Sequence, residues 1–190
     1  GTPAGTTRIT DIKQGIGSSY TRSLKAIGST LYFLATDGSS DEEIWKSDGT
    51  STGASRIADR NLGSSFSHPH TLTAAGNTLY FSAYTNGYGY ELFRSDNSSS
   101  GTFRIADIRP GGGSSDPRSS TAIGSTLYFS ADDGSSGREL WKSDGTSSGT
   151  LRVADINPGI GSSHPSNLTA VGQTLYFTAD DGDRKSTRLN

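Results

Sequence analysis

The sequence repeats itself every 48 residues, and no other feature limits its fold so tightly: Leu31-Tyr32-Phe33 returns as Leu79-Tyr80-Phe81, Leu127-Tyr128-Phe129 and Leu175-Tyr176-Phe177. Arg8, Arg56, Arg104 and Arg152 keep that spacing, and so do Asp11, Asp59, Asp107 and Asp155, with no insertion between them. Phase this strict means one structural unit used repeatedly, each copy burying its surface against the next. Residues 1–182 divide into four tandem copies, at 1–48, 49–96, 97–144 and a truncated 145–182.

Each unit contains four short β-like runs. In the stretch Ser120 to Asn167 they are Thr121–Ile123, Thr126–Ala131, Glu139–Ser143 and Thr150–Ile156. Gly124-Ser125 separates the first two, and Gly28-Ser29, Gly76-Asn77 and Gly172-Gln173 hold the same place elsewhere. A leading Gly suits a type II′ turn, which predicts a two-residue hairpin. In the second run the two-residue period of a strand puts Leu127, Phe129 and Ala131 on one face and Tyr128 on the other. Both faces carry apolar groups, as expected of a sheet packed between two neighbours rather than one with a wet side. The pattern predicts an all-β fold of β-propeller blades, four-stranded antiparallel units forming an open arc or fragment of a larger propeller. A parallel β-helix fits less well, because its coils lack tight hairpins.

Composition agrees: Gly, Ser and Thr are abundant, and the Leu/Ala/Glu/Lys runs that build helices are missing. No stretch approaches the ~18 apolar residues of a membrane-spanning helix, so no insertion into a bilayer is expected. The net charge of -2 offers no basic face for nucleic acid. With no Cys there are neither disulfides nor thiolate metal sites. Gly1-Thr2 aligns with Gly49-Thr50, in the middle of a unit, which predicts further blades in the full-length chain. Residues 183–190 abandon the repeat and resemble a translated sequencing adapter, and are expected to be a non-native tail; without them the segment holds 14 Lys+Arg against 18 Asp+Glu.

Glu139-Leu-Trp-Lys-Ser-Asp-Gly-Thr146 resembles the signature of the ELWxxDGT repeat family of bacterial proteins, and the likeness extends over residues 1–182. Glu43-Ile-Trp-Lys-Ser-Asp-Gly-Thr50 is a near-copy, whereas Glu91-Leu-Phe-Arg-Ser-Asp-Asn-Ser98 departs from it, which predicts a less regular second hairpin there. The resemblance implies a secreted or surface-attached, propeller-like repeat protein. It brings no catalytic residues with it.

Asp48, Asp96 and Asp144 stand where a turn begins and are expected to accept hydrogen bonds from the backbone just beyond, a structural role. Asp37, Asp132, Asp133, Asp180 and Asp181 cluster with Gly and Ser in the loop between second and third strands and are weak calcium candidates, lacking the alternating spacing of a dedicated loop. No other cofactor is expected. Arg104 and Asp107, like their equivalents, are expected on opposite faces of one strand, with Glu43, Glu91 and Glu139 as partners for the arginines. Trp45, Phe93 and Trp141 read as core anchors. His68, His70 and His164 share no ligand set across the copies, which argues against zinc.

The copies differ most in two connections. One site in the long link between units reads Tyr20, His68, Asp116, His164, and two residues on Arg22, His70, Arg118, Ser166. Tyr84, Tyr88 and Tyr90 occur in one copy of the loop between second and third strands. In an up-and-down blade these connections share one edge of the sheet, the hairpins taking the other. With the location that the resemblance implies, the expected role is a non-enzymatic extracellular or cell-surface scaffold that binds a glycan or protein through this rim. The alternative is a fragment of a secreted propeller enzyme, a hydrolase or lyase acting on polysaccharide.

Overall fold

The computed structural model describes residues 8–39, 42–57, 68–98 and 100–183. The tail beyond Asp183 lies outside them. The first sheet comprises β1 (Arg22–Ile27), β2 (Thr30–Ala35), β3 (Glu43–Ser47) and β4 (Ser55–Arg56). The second comprises β5 (His70–Ala75), β6 (Thr78–Thr85), β7 (Gly89–Ser95) and β8 (Phe103–Arg104), and the third β9 (Arg118–Ile123), β10 (Thr126–Asp132), β11 (Arg138–Ser143) and β12 (Leu151–Ala154). The hairpin β13 (Ser166–Val171) and β14 (Thr174–Thr178) follows. Neighbouring strands run antiparallel, and the described residues include no helix.

The register recurs with the sequence: Phe33 faces Trp45, Phe81 faces Phe93, and Phe129 faces Trp141. Gly28, Gly76, Gly124 and Gly172 close the first hairpins with φ between 56° and 61°. The residues after them keep negative φ, as a type II′ turn requires. At the other hairpin Asn97 (φ 77°) takes the left-handed conformation that Gly49 and Gly145 adopt in its sister copies. Asn tolerates it, so at this position the second copy keeps the turn conformation of its sisters despite the lost Gly.

The alternating pattern becomes two cores. Leu79, Phe81 and Ala83 pack with Tyr32, Leu34 and Ile44 of the first sheet. From the opposite face, Tyr80, Leu92 and Ile105 pack with Leu127, Phe129 and Ala131 of the third. The second sheet is thus oily on both sides and covered on both. Trp45 and Trp141 are only half-buried, and Trp45 donates its indole N–H to the Ala35 carbonyl at 3.0 Å. The sheets come closest at their first strands, β1 beside β5, β5 beside β9 and β9 beside β13, and splay outward from there. The result is a β-propeller-like succession of sheets.

The fourth strands are shorter than the sequence suggests, and a buried glutamate explains why. Glu91 is fully buried and accepts hydrogen bonds from Ile108 N at 3.0 Å, Arg109 N at 3.4 Å, Ser115 N at 3.1 Å and Ser115 Oγ at 2.6 Å. Glu139 likewise holds Ile156 N, Ser163 N and Ser163 Oγ. These bonds draw the chain off the sheet edge, at Ile108 four residues beyond β8 and at Ile156 two residues beyond β12. Glu91 and Glu139 are therefore lashings for the connection and not partners for the arginines, while the connection that Glu43 would hold falls outside the described residues. With the strand ended, Arg104 and Asp107 approach to 3.6 Å and Arg152 and Asp155 to 3.7 Å, so the expected separation onto opposite faces fails.

Candidate functional site

The long connection and the β6–β7 or β10–β11 loop do meet at one edge. Asp116 N donates to the Tyr90 carbonyl at 3.0 Å, and His164 N to that of Arg138 at 3.2 Å. Each connection is thus pinned to the preceding sheet before entering its own first strand. Because the first strands are where the sheets converge, their starting residues line the inner end of this edge, the inner mouth of the succession of sheets.

The mouth is built on strained backbone. Tyr20, His68, Asp116 and His164 have φ between 38° and 49°, and Ser23, Thr71, Ser119 and Asn167 between 47° and 57°. Ordinary side chains in this region cost on the order of 1 kcal/mol or more each. The second set sits in β-bulges, seen as register shifts between Arg22 and Lys25, between His70 and Thr73, and opposite Tyr128 to Ser130. A bulge bends the strand and re-aims the side chains beside it. Those side chains are Arg22, His70, Arg118 and Ser166. Buried Pro69, Pro117 and Pro165 follow three of the first set and fix the entry.

Side chains gather most closely between the second and third sheets. The His70 ring meets Tyr90 edge-on at 5.2 Å, and Tyr90 meets Tyr84 in the same manner at 5.4 Å. His70 Nε2 lies 3.7 Å from Asp116 Oδ1. Asp116 Oδ2 takes Arg118 at 2.6 Å and Arg138 at 3.2 Å, and Arg138 also donates to the Asp116 carbonyl at 2.8 Å. Burial pushes the Arg138 guanidinium below its ordinary pKa, opposed by the Asp116 charge beside it. An arginine keeps its charge at neutral pH even so.

Arg138 was missed from sequence, although its signal was present. The position reads Glu42, Tyr90, Arg138 in successive copies and faces Arg22, His70, Arg118 respectively. In the first sheet Arg22 and Glu42 form an ion pair. The variation at the two positions is therefore paired.

Other expected rim residues lie apart from this cluster. Tyr20 and His164 are exposed at equivalent starts of the first and fourth units, and His68 is exposed beside His70, whose Nδ1 lies 3.3 Å from the His68 carbonyl. Tyr88 turns outward, where the Arg104 guanidinium lies 3.4 Å from its ring centroid.

The turn aspartates behave as expected. Asp48, Asp96 and Asp144 accept from the amide and hydroxyl of Thr50, Ser98 and Thr146 at 2.6 to 2.9 Å. Among the calcium candidates, Asp37 accepts from Ser39, Asp132 from Gly134 and Arg109, Asp133 from Ser135 and Ser136, Asp180 from Gly182 and Asp181 from Asp183. Among the described residues no group of three or more His, Cys, Asp or Glu converges in a way that could hold a metal ion.

No family model and no curated protein matches the chain. Solved structures do. A putative TolB from Agrobacterium tumefaciens matches with a TM-score of 0.56 at 14% identity, over 89% of this chain and 58% of that one. The S511A mutant of puromycin hydrolase, complexed with PGG, matches at 0.57 and 12% identity, over 85% of this chain and 25% of the hydrolase. The computationally designed Ika4 protein matches at 0.53 and 13% identity, over 97% and 96% of the two chains. The chain thus spans less than two thirds of the first two. At these identities the likeness is one of fold, and it agrees with a β-propeller-like, all-β succession of four-stranded antiparallel sheets.

Proposed function

We propose that this chain is an arc of β-propeller blades serving as a non-enzymatic binding scaffold, on the cell surface or outside the cell, whose ligand is a glycan held at the inner mouth of the long-connection rim. The observation that carries the reading is the left-handed backbone of eight non-glycine residues at that mouth, two in every unit. Glycine would adopt this conformation without steric cost, and the chain uses 25 glycines. Keeping Tyr, His, Asp, Ser, Thr and Asn there retains side chains at a cost in stability, the pattern of sites where side chains matter more than stability. Tyr84, Tyr90 and His70 add half-buried rings of the kind that pack against sugar C–H faces.

A glycan array probed with the chain, followed by product analysis of every bound glycan, tests this. Binding without turnover is expected, weakened at least tenfold by Tyr90→Ala. New reducing or unsaturated ends would favour the polysaccharide-cleaving alternative, and an array without signal would remove the glycan reading.

A further inference from the structure

Resting on the rim reading, we infer that the cluster between the second and third sheets is a subsite for the carboxylate of an acidic sugar, so that the glycan class is a uronate-containing polysaccharide. Arg118 and Arg138 converge on one carboxylate oxygen of Asp116, a single negative charge shared by two guanidinium groups. Asp132, the other acid within electrostatic reach of Arg138, is paired with Arg109 at 2.9 Å. Among the described residues Arg109, Arg118 and Arg138 thus form ion pairs with Asp116 and Asp132 alone, a local excess of positive charge on a chain whose net charge is -2.

The two arginines differ in their freedom. The Arg138 side chain is 18% exposed and fixed by the Asp116 carbonyl, while that of Arg118 is 63% exposed and engages Asp116 through one terminal nitrogen. The rest of the Arg118 fork faces solvent, in the geometry that takes a carboxylate through two parallel bonds. His70 joins this cationic spot to the tyrosines: its edge meets Tyr90, and its Nε2 faces Asp116. A sugar ring against Tyr84 and Tyr90 would place a ring carboxylate toward Arg118. The equivalent position in the first sheet is already neutralised, because Arg22 is paired with Glu42. Among the described residues the subsite therefore belongs to the boundary between the second and third sheets.

The test is calorimetric titration of the full chain with trigalacturonate, trimannuronate and a hyaluronan tetrasaccharide, alongside neutral galactotriose and mannotriose. At least one uronate is expected to bind tenfold or more tightly than the neutral sugars, weaken with added salt, and lose about tenfold to a hundredfold affinity in Arg118→Ala. That side chain is exposed, so unchanged urea unfolding will separate the loss from misfolding. Equal affinity for acidic and neutral sugars, or Arg118→Ala without effect, overturns the acidic subsite and leaves the rim reading standing. A poly-glutamate peptide binding as tightly as the best uronate also overturns it, in favour of a protein ligand, and binding of none of these removes the rim reading as well.

Discussion

Replacing Glu91 by Gln should show how much of the architecture hangs from one buried carboxylate. Its Oε2 receives Ile108 N–H at 3.0 Å and the Ser115 hydroxyl at 2.6 Å, while Oε1 receives Ser115 N–H at 3.1 Å and Arg109 N–H at 3.4 Å. Gln preserves shape and one acceptor but turns an amide NH2 toward two donors. Two bonds are lost, at about 1 to 1.5 kcal/mol each, and a buried backbone N–H is left without an acceptor. Relief from burying a charge offsets part of this. The expected loss is about 2 to 4 kcal/mol in urea unfolding, a large share of the roughly 5 to 15 kcal/mol typical of a domain. Glu139→Gln should cost a similar amount, since Ile156 and Ser163 repeat the arrangement. Burial pushes the Glu91 carboxyl above its ordinary pKa, with the bonds from Ser115, Ile108 and Arg109 pulling it partly back. A raised folded-state value means that this contribution is complete below the ordinary glutamate range and is lost as pH rises through the raised value. The stability gap between parent and E91Q should therefore widen on acidification. A change below about 0.5 kcal/mol would refute the lashing as described, and a gap that narrows toward acid would show that the bonds to the carboxylate outweigh the cost of burying it.

Two further results are expected. A Cβ on Gly89 would lie 2.5 Å from Ser114 Oγ and 2.8 Å from the Gly113 oxygen, whereas one on Gly124 meets nothing within 4 Å. Both glycines have positive φ, so Gly124→Ala should cost about 1 kcal/mol for backbone strain alone, and Gly89→Ala more than 2 kcal/mol in the same unfolding assay; equal costs would contradict the close approach of connection and loop. The Thr146 hydroxyl and amide hold the Asp144 carboxyl below its ordinary pKa. For a depressed value the turn's contribution is present above the ordinary aspartate range and lost as pH falls through the lowered one. NMR of the Thr146 amide should titrate with a midpoint below that of a free aspartate, and a midpoint at or above it would show the turn bond to be absent.

The hairpins and the two-faced packing were legible because they are local: a leading Gly sets the turn, and strand alternation sorts Leu127 and Phe129 from Tyr128. The ends of the fourth strands were not, since they depend on Glu91 reaching Ile108, seventeen residues further along the chain. A sequence pattern that repeats Arg-x-x-Asp four times over suggests one continuous strand, and only the distant carboxylate reveals the turn inside it. The rim was readable as a region because variable positions stand out against a constant frame. His70, Tyr84, Tyr90, Asp116 and Arg118 were named among its residues, but that they meet was not readable, because His70 and Tyr90 stand in one sheet and Asp116 in the next, and a contact across a repeat boundary leaves no mark in the period.

The lashing also separates two demands on the same long link between sheets. Glu91 grips Ser115, immediately before Asp116, through its backbone and hydroxyl, and Glu139 grips Ser163 immediately before His164. The path of the link is thus dictated one residue upstream of the side chain it presents. Whatever amino acid follows the serine arrives at the same place, so such a frame can exchange what it recognises, one blade at a time, without having to be refolded around each change.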